Sequence, residues 1–285
     1  MALQAKGEEP GTEDRPHAAE LRPAGEILRR RLVPVPVRPL DIASELLHFA
    51  LVTYAVPARR LRPHISERFE IPTFEIDGHA RALLSVVPFV DQDFHFLRLA
   101  PFLRFRFGQT NYRVYVVDRH SGEQVVWFFG TTLGSPLVWP ARWLWRIPWH
   151  RARYEVACEY DAAARRYRRF CYRVRSRWAD AEIEVEDTGA PLESPLPGFR
   201  DLEETLLVLT HPVEGYFYRL DGRLGTYSVS HPVMAPTLGR PRRLRFPLLE
   251  RLAVLRPDEA ASPHSILLTP RIPFHIHMPP RRCAD

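Results

Sequence analysis

The sequence predicts a mainly β (α+β) domain whose antiparallel sheet closes or nearly closes on itself. About ten apolar segments of strand length are separated by turn residues, whereas two or three segments have a helical pattern. The chain has 285 residues, 45% of them hydrophobic, which is enough for one large β domain with its own core. Many strands and few helices in a chain of this length favour such a sheet.

The chain divides into a tail and one domain. Residues 1–40 are polar and rich in proline, which predicts a disordered or loosely docked tail. The tail contains Arg29, Arg30 and Arg31, which we interpret as a solvated cluster of charges. The alternative is that the cluster contacts an acidic surface. Residues 41–285 are predicted to form a single β-barrel domain, because the sequence there is strongly apolar and shows no internal repeat.

The first half of the domain is predicted to be made of strands. Apolar runs that end at turn residues predict strands over 46–56, 69–76 and 82–90. Two further strands, 104–117 and 124–132, form the clearest hairpin, because Ser121-Gly122 lies in the short connection between them.

A tryptophan-rich segment over 137–147 interrupts the strands, and Pro140 suits the first turn of a short helix there. The segment and its immediate continuation contain Trp139, Trp143, Trp145 and Trp149. We interpret these side chains as a cap on the open end of the β structure. The alternative is that they contact a membrane surface or a partner protein.

The second half of the domain is predicted to return to strands around one helix. Hairpins are predicted over 154–160 with 167–177 and over 216–220 with 224–230, a helix over 202–209, and strands over 265–269 and 272–278. Asp201 and Glu204 resemble a capping box at the start of the helix. If residues 160 and 169 pair, Cys158 lies directly opposite Cys171, although we expect both to be buried free thiols.

The composition argues against several classes of protein. The net charge is +6, yet Lys6 is the only lysine and the arginines are scattered among acids, so we do not expect nucleic-acid binding. The three cysteines form no C-x-x-C pair, the N-terminus has no apolar leader, and no run of about 20 apolar residues is present. We therefore expect a cytoplasmic protein without a transmembrane segment.

One face of the hairpin 104–132 has the composition of a pocket wall. Alternate residues of a strand share a face, and this face carries Gln109, Asn111, Arg113 and Tyr115. Pairing Val117 with Gln124 adds Val126, Phe128, Gly130 and Thr132 from the second strand. A few polar groups among apolar side chains are typical of a binding site, whereas a solvated face seldom sets arginine opposite phenylalanine.

Arg113 is the central candidate on this face. Its planar guanidinium suits a carboxylate or a phosphate, and Asn111, Gln109 and Phe128 are expected to contact the same ligand. The alternative is a structural Arg113 paired with an internal acid, because a buried charge must be paired in either case.

The candidates for catalysis are sparse. Tyr115, on the polar face, and His231, at the end of a hairpin strand, are the candidate proton carriers. His231 satisfied only by backbone groups is the alternative. His275 and His277 share a strand face but have no third ligand, so no metal is expected, and no nucleotide-binding glycine motif or G-x-S-x-G elbow indicates a cofactor or a serine nucleophile.

An ordered set of segments resembles a known family. The segments are 49–61 (FALVTYAVPARRL), 82–89 (ALLSVVPF), 111–116 (NYRVYV), 126–129 (VWFF), 147–152 (IPWHRA), 227–233 (YSVSHPV) and 272–279. Together they resemble the YqjF-like family, a bacterial domain of unknown function whose fold is similar to that of acetoacetate decarboxylase.

The resemblance implies a cone-like antiparallel β barrel with a central pocket, often in a homo-oligomer, and places Asn111, Arg113 and Tyr115 on a pocket-facing strand. Family members usually have a glutamate where this chain has Gln109, which weakens an acid–base role there. Acetoacetate decarboxylase forms a Schiff base through a lysine. Because Lys6 is the only lysine and lies outside the matched segments, we exclude Schiff-base decarboxylation.

Three functional hypotheses remain open. The first is a protein that binds a small organic acid on Arg113. The second is a lyase-like or isomerase-like enzyme that acts on a keto or hydroxy acid, with Arg113 as the carboxylate clamp and His231 or Tyr115 as the proton carrier. The third is a membrane-surface or partner-binding protein that uses the tryptophan-rich segment.

Overall fold

The computed structural model describes residues 24–33 and 35–283, and the predicted mainly β fold is confirmed there. The helices are α1 (Ala24–Arg31), α2 (Ala58–Leu61), α3 (Val138–Trp145), α4 (Leu202–Thr210) and α5 (Pro247–Arg251), with a 3-10 turn at Arg62–His64. The strands are β1 (Ile42–Val56), β2 (Phe69–Glu70), β3 (Phe74–Ile76), β4 (His79–Phe96), β5 (Phe105–Asp118), β6 (Gln124–Leu133), β7 (Trp149–Arg151), β8 (Arg153–Asp161), β9 (Arg166–Arg175), β10 (Ala181–Pro191), β11 (Glu214–Tyr218), β12 (Leu224–Ser230), β13 (Thr237–Arg245) and β14 (Ser265–Arg282).

Seven strands pair in a continuous ring. The pairings run from β1 through β4, β5, β6, β11, β12 and β14, and β14 pairs again with β1. The first part of β14 also pairs with β13, and from there the sheet extends through β10 and β9 to β8. The ring therefore carries a four-stranded extension on one side.

The sheet is mixed, whereas the sequence predicted an antiparallel one. β6 pairs in parallel with both β7 and β11. After β6 the chain leaves the ring through α3 and the extension and returns after α4 running in the direction of β6, and such a long crossover is what a parallel pair requires.

Most predicted elements are present, with local differences that have physical reasons. The strand predicted over 69–76 is split into β2 and β3 around Pro72, which has no N–H to donate to a ladder. The last two predicted strands are one long strand, β14. The capping prediction for α4 is confirmed, since the Asp201 side chain accepts a 2.7 Å hydrogen bond from the Glu204 N–H.

The hairpin of β8 and β9 differs from its predicted register by one residue. Ala157 lies opposite Cys171, and Cys158 lies opposite Phe170. Tyr160 pairs with Tyr167 and not with Arg169, and after a register shift next to it Glu159 pairs with Arg169. The two cysteines are therefore not directly opposite, and both are free thiols.

Helix α1 lies within the segment predicted to be a tail. Its residues Ala24 and Leu28 pack with Leu207 of α4. The Arg31 side chain is only 4% exposed, so its interpretation as a solvated charge is wrong. Its guanidinium donates to the backbone oxygen of His211 at 2.7 Å and contacts Glu123 at 3.2 Å. Residues 1–23 lie outside the described residues.

The hydrophobic side chains form two main clusters. One fills the space between the ring and its extension and includes Trp127, Tyr172 and Phe246. The other lies inside the ring and includes Phe49 and Phe128. Among the described residues, no helix has the length and apolar character needed to cross a bilayer.

Candidate functional site

The ring of seven strands encloses a chamber. Each of these strands contributes at least one side chain or glycine to its wall, and the cavity volume is about 60 Å³. A single water needs roughly 10–15 Å³ on this measure, so the chamber has room for several waters or a small organic molecule. Most of its wall is aliphatic or aromatic.

The predicted pairing of β5 with β6 is correct over its first half. Val117 lies opposite Gln124, and Arg113 lies opposite Phe128. A bulge at Phe129 then shifts the register, so that Thr131 lies opposite Asn111. Thr131 replaces the predicted Gly130 and Thr132 on the chamber face, because the extra residue inverts the alternation of faces.

Arg113 lies in the wall of the chamber. Its Nη2 donates to the backbone oxygen of Leu209 at 2.8 Å, and its guanidinium carbon lies 5.5 Å from the ring centre of Tyr115. Its Nε atom is buried and has no hydrogen-bond partner among the residues that the structure describes. Within the same residues no carboxylate forms an ion pair with Arg113.

Asn111 and Gln109 extend the polar wall from Arg113. The Asn111 Oδ1 atom accepts hydrogen bonds from Gln109 Nε2 at 3.0 Å and from Thr131 Oγ1 at 2.9 Å. With its oxygen used twice, Asn111 offers its N–H groups to a ligand. This end of the chamber is therefore rich in donors and suits an anion.

Phe128 lies beside this row, on β6, where it pairs with Arg113. Its ring stacks on that of Tyr227 with 5.7 Å between the centroids, and both rings line the chamber. Burial raises the pKa of Tyr227, the Arg113 charge lowers it, and the Asp91 charge raises it. The Tyr227 hydroxyl therefore lies within electrostatic reach of both charged groups.

Tyr115, a predicted proton carrier, does not line the chamber. Its side chain is fully buried, and its hydroxyl contacts Ser85 Oγ at 2.7 Å and donates to the Leu209 backbone oxygen at 3.3 Å. We therefore assign Tyr115 a supporting position beneath Arg113.

His231, the other predicted proton carrier, does line the chamber. Its Nδ1 atom lies 2.9 Å from the Pro232 backbone oxygen, and its ring stacks on Phe274 at 5.3 Å. Burial, together with the Arg113 charge, lowers the pKa of His231 to about 4. The ring of His211 lies 4.3 Å away, and burial lowers the pKa of His211 to about 3. Both imidazoles are therefore neutral near pH 7.

Asp91 is a chamber residue that the sequence did not indicate. It is only 2% exposed, and one oxygen accepts a 2.7 Å hydrogen bond from Ser44 Oγ. The other oxygen is buried, and no described residue forms a hydrogen bond with it. Burial raises the pKa of Asp91 to about 7, against the lowering effect of the Ser44 hydrogen bond. Near neutral pH this carboxyl exchanges readily between its two protonation states.

The signal for Asp91 in the sequence is an acid directly after the apolar run 82–90. In the structure Asp91 lies opposite Phe107, and Phe89 lies opposite Gln109. Pairing β4 with β5 therefore sets Asp91 on the face that carries the Gln109 row. Predicting the pairing of β4 with β5 from the sequence would therefore have identified Asp91 as a candidate site residue.

Comparison with known proteins identifies the family and the fold. The sequence matches the DUF2071 family, described as an uncharacterized conserved protein, over residues 43–272. No curated protein matches the sequence.

Three solved structures show the fold. Acetoacetate decarboxylase from Legionella pneumophila has a TM-score of 0.55 at 12% identity, over 94% of this chain and 98% of that one. The enduracididine biosynthesis enzyme MppR, complexed with the condensation product of pyruvate and imidazole 4-carboxaldehyde, has a TM-score of 0.55 at 13% identity, over 96% and 98%. An acetoacetate decarboxylase-like enzyme from Sphingomonas wittichii RW1 has a TM-score of 0.51 at 12% identity, over 87% and 94%. The predicted acetoacetate decarboxylase-like fold is confirmed.

Proposed function

This chain belongs to the DUF2071 family and has the acetoacetate decarboxylase-like fold, and from that premise we propose that its chamber binds a small organic acid whose carboxylate pairs with Arg113. The observation that carries the proposal is a chamber-lining guanidinium that no carboxylate of the described residues neutralises. The Arg113 side chain is half-buried and its Nε atom is buried, so an unpaired charge there is unfavourable and an anionic ligand would supply a partner.

The neighbours of Arg113 support an anion over a cation. The Asn111 N–H groups are available, and the neutral His231 adds no competing positive charge near pH 7. The small cavity and its apolar walls favour a ligand with few non-hydrogen atoms.

None of the described residues that line the chamber is a lysine, and Lys6, the only lysine of the sequence, lies outside the described residues. Schiff-base chemistry is therefore not part of the proposed function, even though the fold is that of acetoacetate decarboxylase. The solved structures of MppR include a complex with pyruvate, which makes pyruvate a reasonable first probe.

The test is a thermal-shift and calorimetric titration with pyruvate, lactate, acetoacetate and propionate. A ligand raises stability in proportion to its occupancy, so a binder shifts the melting temperature in a concentration-dependent way. Arg113→Met keeps the apolar stem but removes the charge, and we expect it to weaken binding by roughly 10- to 100-fold. The matched control is Arg106→Met, on the same strand but exposed. Equal affinities of Arg113→Met and the wild type would refute the proposal.

Asp91 favours a second candidate, an acid–base enzyme that acts on a keto or hydroxy acid. A carboxyl with a pKa of about 7 is suited to accept and return a proton at neutral pH, and its second oxygen has no hydrogen-bond partner among residues 24–33 and 35–283. In this reaction Asp91 would take the proton from the carbon next to the carbonyl of the ligand, while Arg113 holds the carboxylate.

The enzyme hypothesis is tested by the exchange of ligand protons with the solvent. In D₂O, pyruvate would exchange its methyl protons for deuterium in the presence of the wild-type protein, as followed by NMR. We expect Asp91→Asn to abolish the exchange while leaving binding on Arg113 measurable, and His231→Gln to leave it largely unchanged. An exchange rate that is equal in Asp91→Asn and the wild type would exclude Asp91 as the base.

A further inference from the structure

We propose that the face formed by α3 and the groove beside it docks onto an anionic phospholipid surface. The face consists of Trp139, Trp143 and Leu144 on the helix and of Arg142, Arg151, Arg153 and Arg177 in and around the groove. It lies outside the chamber, and the inference does not depend on the ligand of the chamber.

The apolar part of the face is exposed to an unusual degree. Trp139 is 63% exposed, Trp143 73% and Leu144 53%, although tryptophan is mostly a burial residue. Trp145 and Trp149, by contrast, pack against the hydrophobic clusters. The prediction that these tryptophans cap the β structure therefore describes only two of the four.

The groove beside the helix is lined by basic and aromatic groups. Its volume is about 470 Å³, and Trp139, Arg142, Arg151, Arg153, Arg177 and Trp178 contribute to its wall. No acidic residue of the part of the chain that the structure describes contributes to this wall. Arg142 donates to the Trp149 backbone oxygen at 2.7 Å, which holds its guanidinium at the helix.

Several arginines elsewhere on the surface are ion-paired. Arg168 pairs with Asp161, and Arg243 pairs with Glu182 at 2.9 Å. Within the described part of the chain, none of the four groove arginines forms an ion pair. Four like charges gathered in one place without acids favour an anionic partner.

The pairing of exposed tryptophan with unpaired arginine favours a membrane as that partner. Tryptophan prefers the membrane–water interface, and guanidinium groups bind lipid phosphates in two places. Helix α3 has eight residues and is about 12 Å long, so it would lie in the interface and not cross the bilayer.

Two other occupants fit less well. A second copy of this chain, docked through the same face about a twofold axis, would set the arginines of one groove against those of the other. A single-stranded nucleic acid would stack its bases on aromatic rings within the groove, yet Trp143 and Leu144, with large exposed areas, lie on the helix outside it.

Docking would also bring the membrane close to the chamber. Trp149 lines both the groove and the chamber, so one side chain forms the wall between them.

The experiment is co-sedimentation of the full chain with phosphatidylcholine vesicles containing about 30% phosphatidylserine, compared with phosphatidylcholine alone. We expect binding to the anionic vesicles only. One basic side chain near an anionic surface is worth a factor of about five, so the triple variant Arg151→Gln, Arg153→Gln, Arg177→Gln should bind about 100-fold more weakly. The matched control removes Arg168, Arg242 and Arg243, which are ion-paired elsewhere on the surface.

Insertion of the tryptophan side chains into the bilayer is measured in a separate experiment. Lipids brominated in their acyl chains should quench the tryptophan fluorescence of the wild type, and Trp139→Ser with Trp143→Ser should lose most of that quenching. All variants are first shown to melt as the wild type does.

Three outcomes would overturn the proposal. They are absence of binding to the anionic vesicles at low salt, equal loss of binding in the two arginine triples, and binding without quenching. Binding of single-stranded nucleic acid that depends on the groove arginines, without vesicle binding, would assign the face to the other class of partner.

Discussion

Replacing Asp91 with asparagine removes the ionisable carboxyl from the chamber but keeps its size. The pKa of Asp91 is about 7 in the fold, because of burial, and its ordinary value is 3.8. At about 1.4 kcal/mol per pKa unit, the ionised carboxylate costs the folded state about 4 kcal/mol relative to the unfolded chain. The side chain is only 2% exposed, so solvent screening reduces this cost little.

The sign of the effect follows from proton binding. Between pH 4 and pH 7 the unfolded chain releases the Asp91 proton and the folded state keeps it. Stability that is fully present below pH 4 is therefore lost progressively up to pH 7 and stays lost above it. In Asp91→Asn this loss of stability with rising pH is absent, because an amide does not titrate. The amide oxygen of the variant can still accept the hydrogen bond from Ser44.

The assay is urea unfolding of both proteins at a series of pH values from 4 to 8, followed by tryptophan fluorescence. The buried amide of the variant adds a free-energy cost that does not depend on pH. The quantity to compare is therefore how the difference in unfolding free energy between the variant and the wild type changes with pH. Between pH 4 and pH 8 we expect the unfolding free energy of the variant to rise by about 4 kcal/mol relative to that of the wild type. The control is Asp258→Asn, at a side chain that is 71% exposed. A difference that stays constant with pH would refute the assignment of the raised pKa.

Three further predictions concern the framework. Gly130→Ala should lower stability by about 1–3 kcal/mol in thermal melts, because the φ of 156° is unfavourable and the new Cβ would lie 2.7 Å from the Trp178 side chain. Tyr54→Phe should cost about 1–3 kcal/mol in urea unfolding, because its hydroxyl donates to the buried Ala260 oxygen at 2.7 Å. Burial raises the pKa of Cys158 to about 12, so iodoacetamide should label it in urea but not in the native protein near pH 7.

The residue pattern along the sequence was sufficient to predict the part of the site that lies within one hairpin. The polar row on β5 follows from the alternation of faces along a strand, and its pairing with Phe128 follows from the short connection between β5 and β6. The observed register agrees with the predicted one from Val117 to Arg113. The register beyond that point depends on the bulge at Phe129. Alternation of apolar residues gives no sign of an inserted residue, so Thr131 was missed.

The remaining features depend on contacts that are distant in sequence. Asp91 becomes a site residue only when β4 pairs with β5, and the chamber exists only because β1 pairs with β14. Arg31 was expected in solvent because its neighbours along the chain are charged. Its acceptors are Glu123 and the backbone at His211 and Gln124, which no local pattern connects to it.

The buried histidines give a last prediction, opposite in sign to that for Asp91. Burial lowers the pKa of His211 to about 3, so near pH 5 its unfolded form carries a proton that its folded form lacks. This group alone should make stability rise by about 1.4 kcal/mol per pH unit near pH 5, whereas Asp91 should make it fall by the same amount. Between pH 4.5 and 5.5 the slope of the unfolding free energy against pH should therefore be more negative in His211→Asn than in the wild type, and more positive in Asp91→Asn, by about 1.4 kcal/mol per pH unit in each case. Changes of slope in the same direction in both variants would show that one of the two groups is not held in the protonation state that its burial implies.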